Sequence, residues 1–136
     1  MVVIMKGQIM IDHQIVQKWL DDYISAWKTY EPAAIGALFS ENAAYRFNPY
    51  DEPVRGREAI VANWLENHDK PNTYSAKYQP LAVDGSTAVS NGHSFYYEAD
   101  GKTIVRQYDN IFVLKFDDSG RCEDFCEWFM GPRGQK

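Results

Sequence analysis

Positive charge is the first shortage in this 136-residue chain: 14 Lys and Arg stand against 19 Asp and Glu, for a formal net charge of −5. Sequence-independent nucleic-acid binding needs a basic face that displaces counterions, so no nucleic-acid partner is expected. No apolar run approaches the ~20 residues of a membrane-spanning helix, so no membrane partner is expected either. Cysteine is scarce, with only Cys122 and Cys126. They sit in a stretch that reads as a strand, where ~3.3 Å per residue puts their Cα atoms ~13 Å apart, beyond the reach of a disulfide. Two reduced thiols suit a cytoplasmic setting. Histidine is nearly as rare: His13, His68 and His93 match neither HxH nor HExxH spacing, and no metal is expected. With no GxGxxG and no phosphate-binding loop, no cofactor is expected. The opening Met1-Val2-Val3-Ile4-Met5-Lys6-Gly7 is apolar but short. Lacking a basic leader and a small-residue cleavage site, it reads as an arm on the body, not as a secretory signal.

Against these shortages stands an ordinary globular composition, 45% hydrophobic and 24% charged, with an aromatic excess of 4 Trp, 9 Tyr and 7 Phe. The length suits one domain, expected over 12–130, with an arm over 1–11 and a tail over 131–136. Asp12 is a suitable N-cap for a first helix, in which Ile15, Trp19, Leu20, Tyr23, Ile24 and Trp27 recur at helical spacing. Pro32 suits the first turn of a short second helix through Ile35, Leu38 and Phe39. The period then changes, and 43–47 reads as a strand. Gly56 precedes a third helix with Ile60, Trp64 and His68 on one face. From residue 73 onward the chain reads as four long strands, over 73–83, 87–99, 103–116 and 121–130. Asp84-Gly85, Asp100-Gly101 and Asp117-Asp118-Ser119-Gly120 are the turns between them, with Asp100-Gly101 fitting a two-residue hairpin turn. The order predicts an α+β fold with helices on one face of a bent sheet.

Three segments, Leu38-Phe39-Ser40-Glu41-Asn42-Ala43, Val54-Arg55-Gly56-Arg57-Glu58-Ala59-Ile60 and Phe116-Asp117-Asp118-Ser119-Gly120-Arg121, occur in the order and context of the nuclear transport factor 2-like superfamily. Within it, the chain resembles the SnoaL-like group over roughly residues 12–130. The resemblance implies a cone-shaped fold, with three N-terminal helices packed on a strongly bent, mainly antiparallel sheet around one deep pocket. It also implies a sheet face that often forms a dimer interface. Functions on this fold range from isomerases, cyclases, dehydratases and hydrolases to binding and transport domains. Tyr23 matches the tyrosine that donates to an oxyanion in the ketosteroid isomerase branch. The catalytic carboxylate of that branch falls on Phe47 and its second oxyanion acid on Phe112. A phenyl ring can neither take nor give a proton, so steroid isomerisation by that mechanism is not expected.

Alternation along the strands sorts the remaining candidates. With the turn centred on Asp100-Gly101, Tyr97 faces Ile104, Phe95 faces Arg106 and His93 faces Tyr108. With Phe116 opposite Arg121, Phe112 meets Phe125 and Asn110 meets Glu127. One face then gathers His93, Tyr108, Asn110 and Glu127 among Phe95, Phe112, Phe125 and Phe129. Polar groups converging among aromatics suit a small-molecule pocket. His93 is the expected acid or base, Glu127 its partner and Tyr23 a donor, with Asp109 in reserve should the hairpin slip by one residue. Tyr45, Phe47 and Trp64 complete the expected lining. Tyr96, Ile111, Val113, Cys126, Trp128 and Met130 fall on the opposite face. That apolar surface predicts a homodimer through Ile111, Val113 and Trp128.

Overall fold

Asp12 begins the first helix as its side chain predicts: Oδ1 accepts from the Ile15 amide at 2.9 Å and satisfies a donor that the helix itself cannot. The computed structural model describes residues 10–135, so nearly all of the expected arm over 1–11, and the last residue of the expected tail over 131–136, lie outside the described residues. Helix α1, His13–Thr29, ends at Tyr30 in the left-handed region (φ 53°), where the Tyr30 amide donates to Ala26 O. Val16, Trp19, Leu20, Tyr23 and Ala26 form its buried stripe. The Trp19 indole donates to Leu38 O at 2.9 Å, which ties α1 to the chain leading into the sheet. Helix α2, Pro32–Gly36, starts with proline, whose missing N–H has no partner to lose in a first turn. Helix α3, Arg57–Glu66, follows Gly56 at φ 92°, a conformation that disfavours a side chain. It stops at Glu66, short of His68. That ring leaves the expected helix face and stacks on Tyr30, with centroids 3.8 Å apart.

Six strands follow the helical pattern: β1 Phe39–Arg46, β2 Val54–Arg55, β3 Tyr74–Asp84, β4 Thr87–Tyr97, β5 Ile104–Phe116 and β6 Cys122–Met130. They form one sheet in the order β2-β1-β6-β5-β4-β3. All neighbours are antiparallel except β1 and β6, which run parallel. The sheet is curved but not closed into a barrel. Pro80 lies on the edge strand β3, where a missing ladder donor is tolerated, and the strand bulges beside it. The helices cover the concave side and enclose Phe39, Phe112, Leu114, Phe116 and Phe125, each at most 2% exposed. Among the described residues no helix is long and apolar enough to cross a membrane.

Gly92 lets β3 and β4 approach closely. A Cβ there would lie 2.0 Å from Lys77 O and 2.5 Å from the Tyr78 ring. Tyr78, paired with Gly92, therefore lays its ring where any other residue would put a side chain.

The hairpin joining β4 and β5 departs from the expected register. Only Gly101 of the Asp100-Gly101 pair has positive φ, and the Asp100 carboxylate accepts from the Lys102 and Thr103 amides. The pair Tyr97–Ile104 is as expected, but the next is Tyr96–Arg106: Val105 is an extra residue, a β-bulge. One added residue exchanges the faces of β4 relative to β5. His93 consequently pairs with Asp109, and Ser94 with Tyr108. Between β5 and β6 the register differs from expectation by two residues. Phe112 meets Glu127 and Asn110 meets Phe129, after an irregularity between Lys115 and Phe116. A two-residue offset leaves faces unchanged, so β6 presents the side chains alternation assigned to it.

Candidate functional site

A cavity of about 340 Å³ opens between the helices and the concave face of the sheet. From α1 it receives Tyr23 and Trp27, from α3 Trp64, and from β1 Tyr45, with Phe47 just beyond that strand. The sheet contributes Tyr78, Ser94, Tyr96, Tyr108, Asn110 and Glu127. Phe47, 41% exposed, and Phe129, 47% exposed, belong to its mouth. Tyr30, Asn67, Asp69 and Arg106 complete the lining.

One polar chain crosses this aromatic surface. Ser94 Oγ donates to Asn110 Oδ1 at 3.0 Å, and Asn110 Nδ2 donates to Glu127 Oε2 at 2.7 Å. Ser94 and Asn110 are 2% and 4% exposed. The Glu127 carboxylate, which can only accept, fixes the amide nitrogen toward itself, and Asn110 Oδ1 is thereby left to accept from the Ser94 hydroxyl. Burial pushes the Glu127 carboxyl up to about 7, and the Asn110 hydrogen bond only partly offsets this. Glu127 thus exchanges its proton near neutral pH, as a general acid or base must.

Neutral donors surround it. Burial drives the Tyr23, Tyr45 and Tyr78 phenols well above their ordinary range, and each also feels neighbouring phenols and Glu127. They remain protonated under ordinary conditions and can donate to a ligand oxygen. Tyr23 stacks on Phe125 at 5.7 Å and meets Trp64 edge-on at 5.1 Å, which holds its ring in place. Toward the mouth, Trp27 Nε1 donates to Asp69 Oδ2 at 2.9 Å, and the Asp69 amide donates to the Tyr30 hydroxyl at 2.9 Å. Among the described residues no group of three or more His, Cys, Asp or Glu side chains gathers as a metal site would.

Tyr23, Tyr45, Phe47, Trp64, Tyr108, Asn110, Glu127 and Phe129 all reach the cavity. His93, Asp109 and Phe95 do not. The bulge at Val105 turns the β4 side chains over, and Asp109 lies on the outer side of β5 as alternation requires. His93 Nε2 meets Asp109 Oδ1 at 2.7 Å there, with side-chain exposures of 59% and 72%. The expected partnership of His93 with Glu127 is therefore replaced by a solvated pair on the far face. Phe112 and Phe125 sit in the core behind Tyr23, not on the cavity surface. Tyr96, expected outside, lines the cavity together with Ser94, for the same reason that His93 leaves it. Tyr78 and Asp69 were not singled out by the sequence. Tyr78 opposite a glycine in a long hairpin was the available signal, since a bare Cα invites a ring.

Residues 20–124 match the family described as SnoaL-like domain. No curated protein matches the chain. Among solved structures, an NTF-2 like protein of unknown function from Burkholderia xenovorans LB400 is similar at 13% identity and a TM-score of 0.65, over 88% of this chain and 85% of that one. A candidate ketosteroid isomerase from Kribbella flavida DSM 17836 is similar at 17% identity and a TM-score of 0.64, over 92% of this chain and 83% of that one. At these identities the likeness is one of fold.

Proposed function

The chain belongs to the family of SnoaL-like domains, and on that footing we propose that its cavity takes a small, mainly apolar, ring-containing molecule and moves a proton on it without a cofactor, with Glu127 as acid and base. The observation that carries this reading is the placement of the Glu127 carboxyl, set among aromatic rings and bonded to Asn110, where burial pushes it up to about 7. As carboxylate, Glu127 takes a proton from carbon beside a ligand carbonyl. The electron pair of that C–H bond moves into the carbonyl, whose oxygen gains negative charge. A phenol such as Tyr23 or Tyr45 donates to that oxygen. Glu127 then returns its proton to the same carbon as the electron pair moves back from oxygen or, where a further double bond extends the enolate, to the far end of that system. Phe47 has no proton to exchange, so the chemistry rests on β6 and not on the end of β1.

β-Tetralone in heavy water tests this reading through proton exchange beside its carbonyl, followed by NMR. The native protein is expected to accelerate exchange, Glu127→Gln to abolish the acceleration and His93→Ala to retain it. Tetralone that binds without accelerated exchange would overturn the catalytic reading. It would favour a ligand carrier, the second reading, to which the phenyl group of Phe47 at the mouth already lends support.

The outer sheet face is proposed as a homodimer interface. Ile111, Val113 and Trp128 lie there beside Met130, with Trp128 45% and Met130 75% exposed. Native mass spectrometry of the wild type and Trp128→Glu tests it, with a dimer expected for the first and a monomer for the second.

A further inference from the structure

Among the described residues the cavity has one cation at its mouth, Arg106, and its place there is built. The guanidinium lies 5.0 Å from the centre of the Tyr96 ring, whose edge meets Tyr108. No ion pair engages Arg106 among the described residues. An arginine stacked on an aromatic ring keeps its planar set of N–H donors free for a carboxylate. Arg106 and Asn110 lie on the same face of β5, four residues apart. At ~3.3 Å per residue this sets the cation ~13 Å along the strand from the group that holds Glu127. Aromatic rings occupy the span between them.

We propose that the cavity selects amphipathic acids: an apolar ring body inserted toward Glu127, with a carboxylate left at the mouth on Arg106. The proposal rests on the ligand-binding reading above and names the class of molecule that site takes. Asp69 is the countervailing group, because it faces the same cavity and repels an anion. Its Oδ2 already accepts from the Trp27 indole, whereas Arg106 has no acceptor among the described residues, and this asymmetry favours the acid over an amine.

Three naphthalene probes differing only in the end group decide the matter: naphthylacetate, naphthylethanol and naphthylethylamine, titrated calorimetrically at low salt. The acid is expected to bind about tenfold tighter than the alcohol, the size of one partly exposed charge-assisted contact, and the amine no tighter than the alcohol. Arg106→Gln is expected to bring the acid down to the level of the alcohol, while Asp69→Asn strengthens the acid further. An acid preference that survives Arg106→Gln overturns the proposal, as does an amine that binds tightest. Absence of binding by all three overturns it together with the ligand cavity itself. Acid preference without tetralone exchange leaves the proposal standing and removes only the proton chemistry. Exchange without acid preference does the reverse.

Discussion

The two faces of the sheet hold the same kinds of groups and put them to opposite use. On the concave face a glutamate lies among phenols and indoles, and burial raises its proton affinity into the neutral range. On the convex face an imidazole and a carboxylate meet at 2.7 Å in water. Histidine is the residue type usually associated with proton transfer at neutral pH, yet here the desolvated glutamate is the better placed. The environment of a titratable group in this sheet follows from which side of the pleat it occupies, and residue type comes second.

Exchanging the roles of the faces is the strongest way to break that contrast. Glu127→Gln is expected to lower tetralone exchange by about two to four powers of ten, the usual share of general acid–base help. His93→Ala should leave the rate within about twofold. Equal losses in the two variants would refute the distinction.

Packing supplies the next test. Gly92→Ala places a methyl group against Lys77 O and the Tyr78 ring, and a loss of about 3 kcal/mol in denaturant unfolding is expected. Its neighbour Asn91, on the opposite side of the pleat, should tolerate alanine within about 0.5 kcal/mol.

Linkage gives a third test, and its sign is definite. The folded-state value for Glu127, about 7, exceeds its ordinary 4.5, so the folded protein binds the proton more tightly than the unfolded chain. The stability this confers is fully present below pH 4.5 and is lost as pH rises through 7. Glu127→Gln should therefore match the wild type at low pH and exceed it above pH 7, by on the order of 3 kcal/mol. Thermal melts across this window read the difference directly. Ser94→Ala is a subtler change on the same face. It frees the Asn110 amide to turn, weakens the one bond that lowers the Glu127 value, and should shift the exchange profile to higher pH with a rate loss below about tenfold. Last comes Asp109→Asn on the convex face, expected to cost less than about 0.5 kcal/mol because its contact with His93 is solvated.

The fold was legible because its signals are local. Asp12 caps a helix, proline opens another, and Asp-Gly pairs separate the strands. The inward set of β5 and β6 was legible too, since Phe112, Leu114 and Phe116 alternate cleanly and a two-residue offset preserves faces. The face of β4 was not. Phe95 and Tyr96 are both aromatic, and His93 and Ser94 are both polar, so alternation alone cannot orient the strand. A single unpaired Val105 decided it, and a bulge leaves no mark on a hydrophobic pattern. Tyr23, Tyr45, Trp64 and Glu127 reach the cavity because their placement does not depend on that hairpin, whereas that of His93 and Phe95 depends on it entirely.

The parallel pairing of β1 with β6 bears on the order of assembly. The last strand in the chain occupies the third place in the sheet, between β1 and β5. During synthesis the helices and β1 emerge first, but their side of the sheet has no neighbour to join until β6 arrives about 80 residues later. The β3–β4–β5 meander can form on its own local contacts in the meantime. The pairing of β1 with the rest of the sheet is therefore late, and the strand that makes it carries Glu127: a chain stalled before residue 122 would hold most of the cavity wall and lack the Glu127 carboxyl.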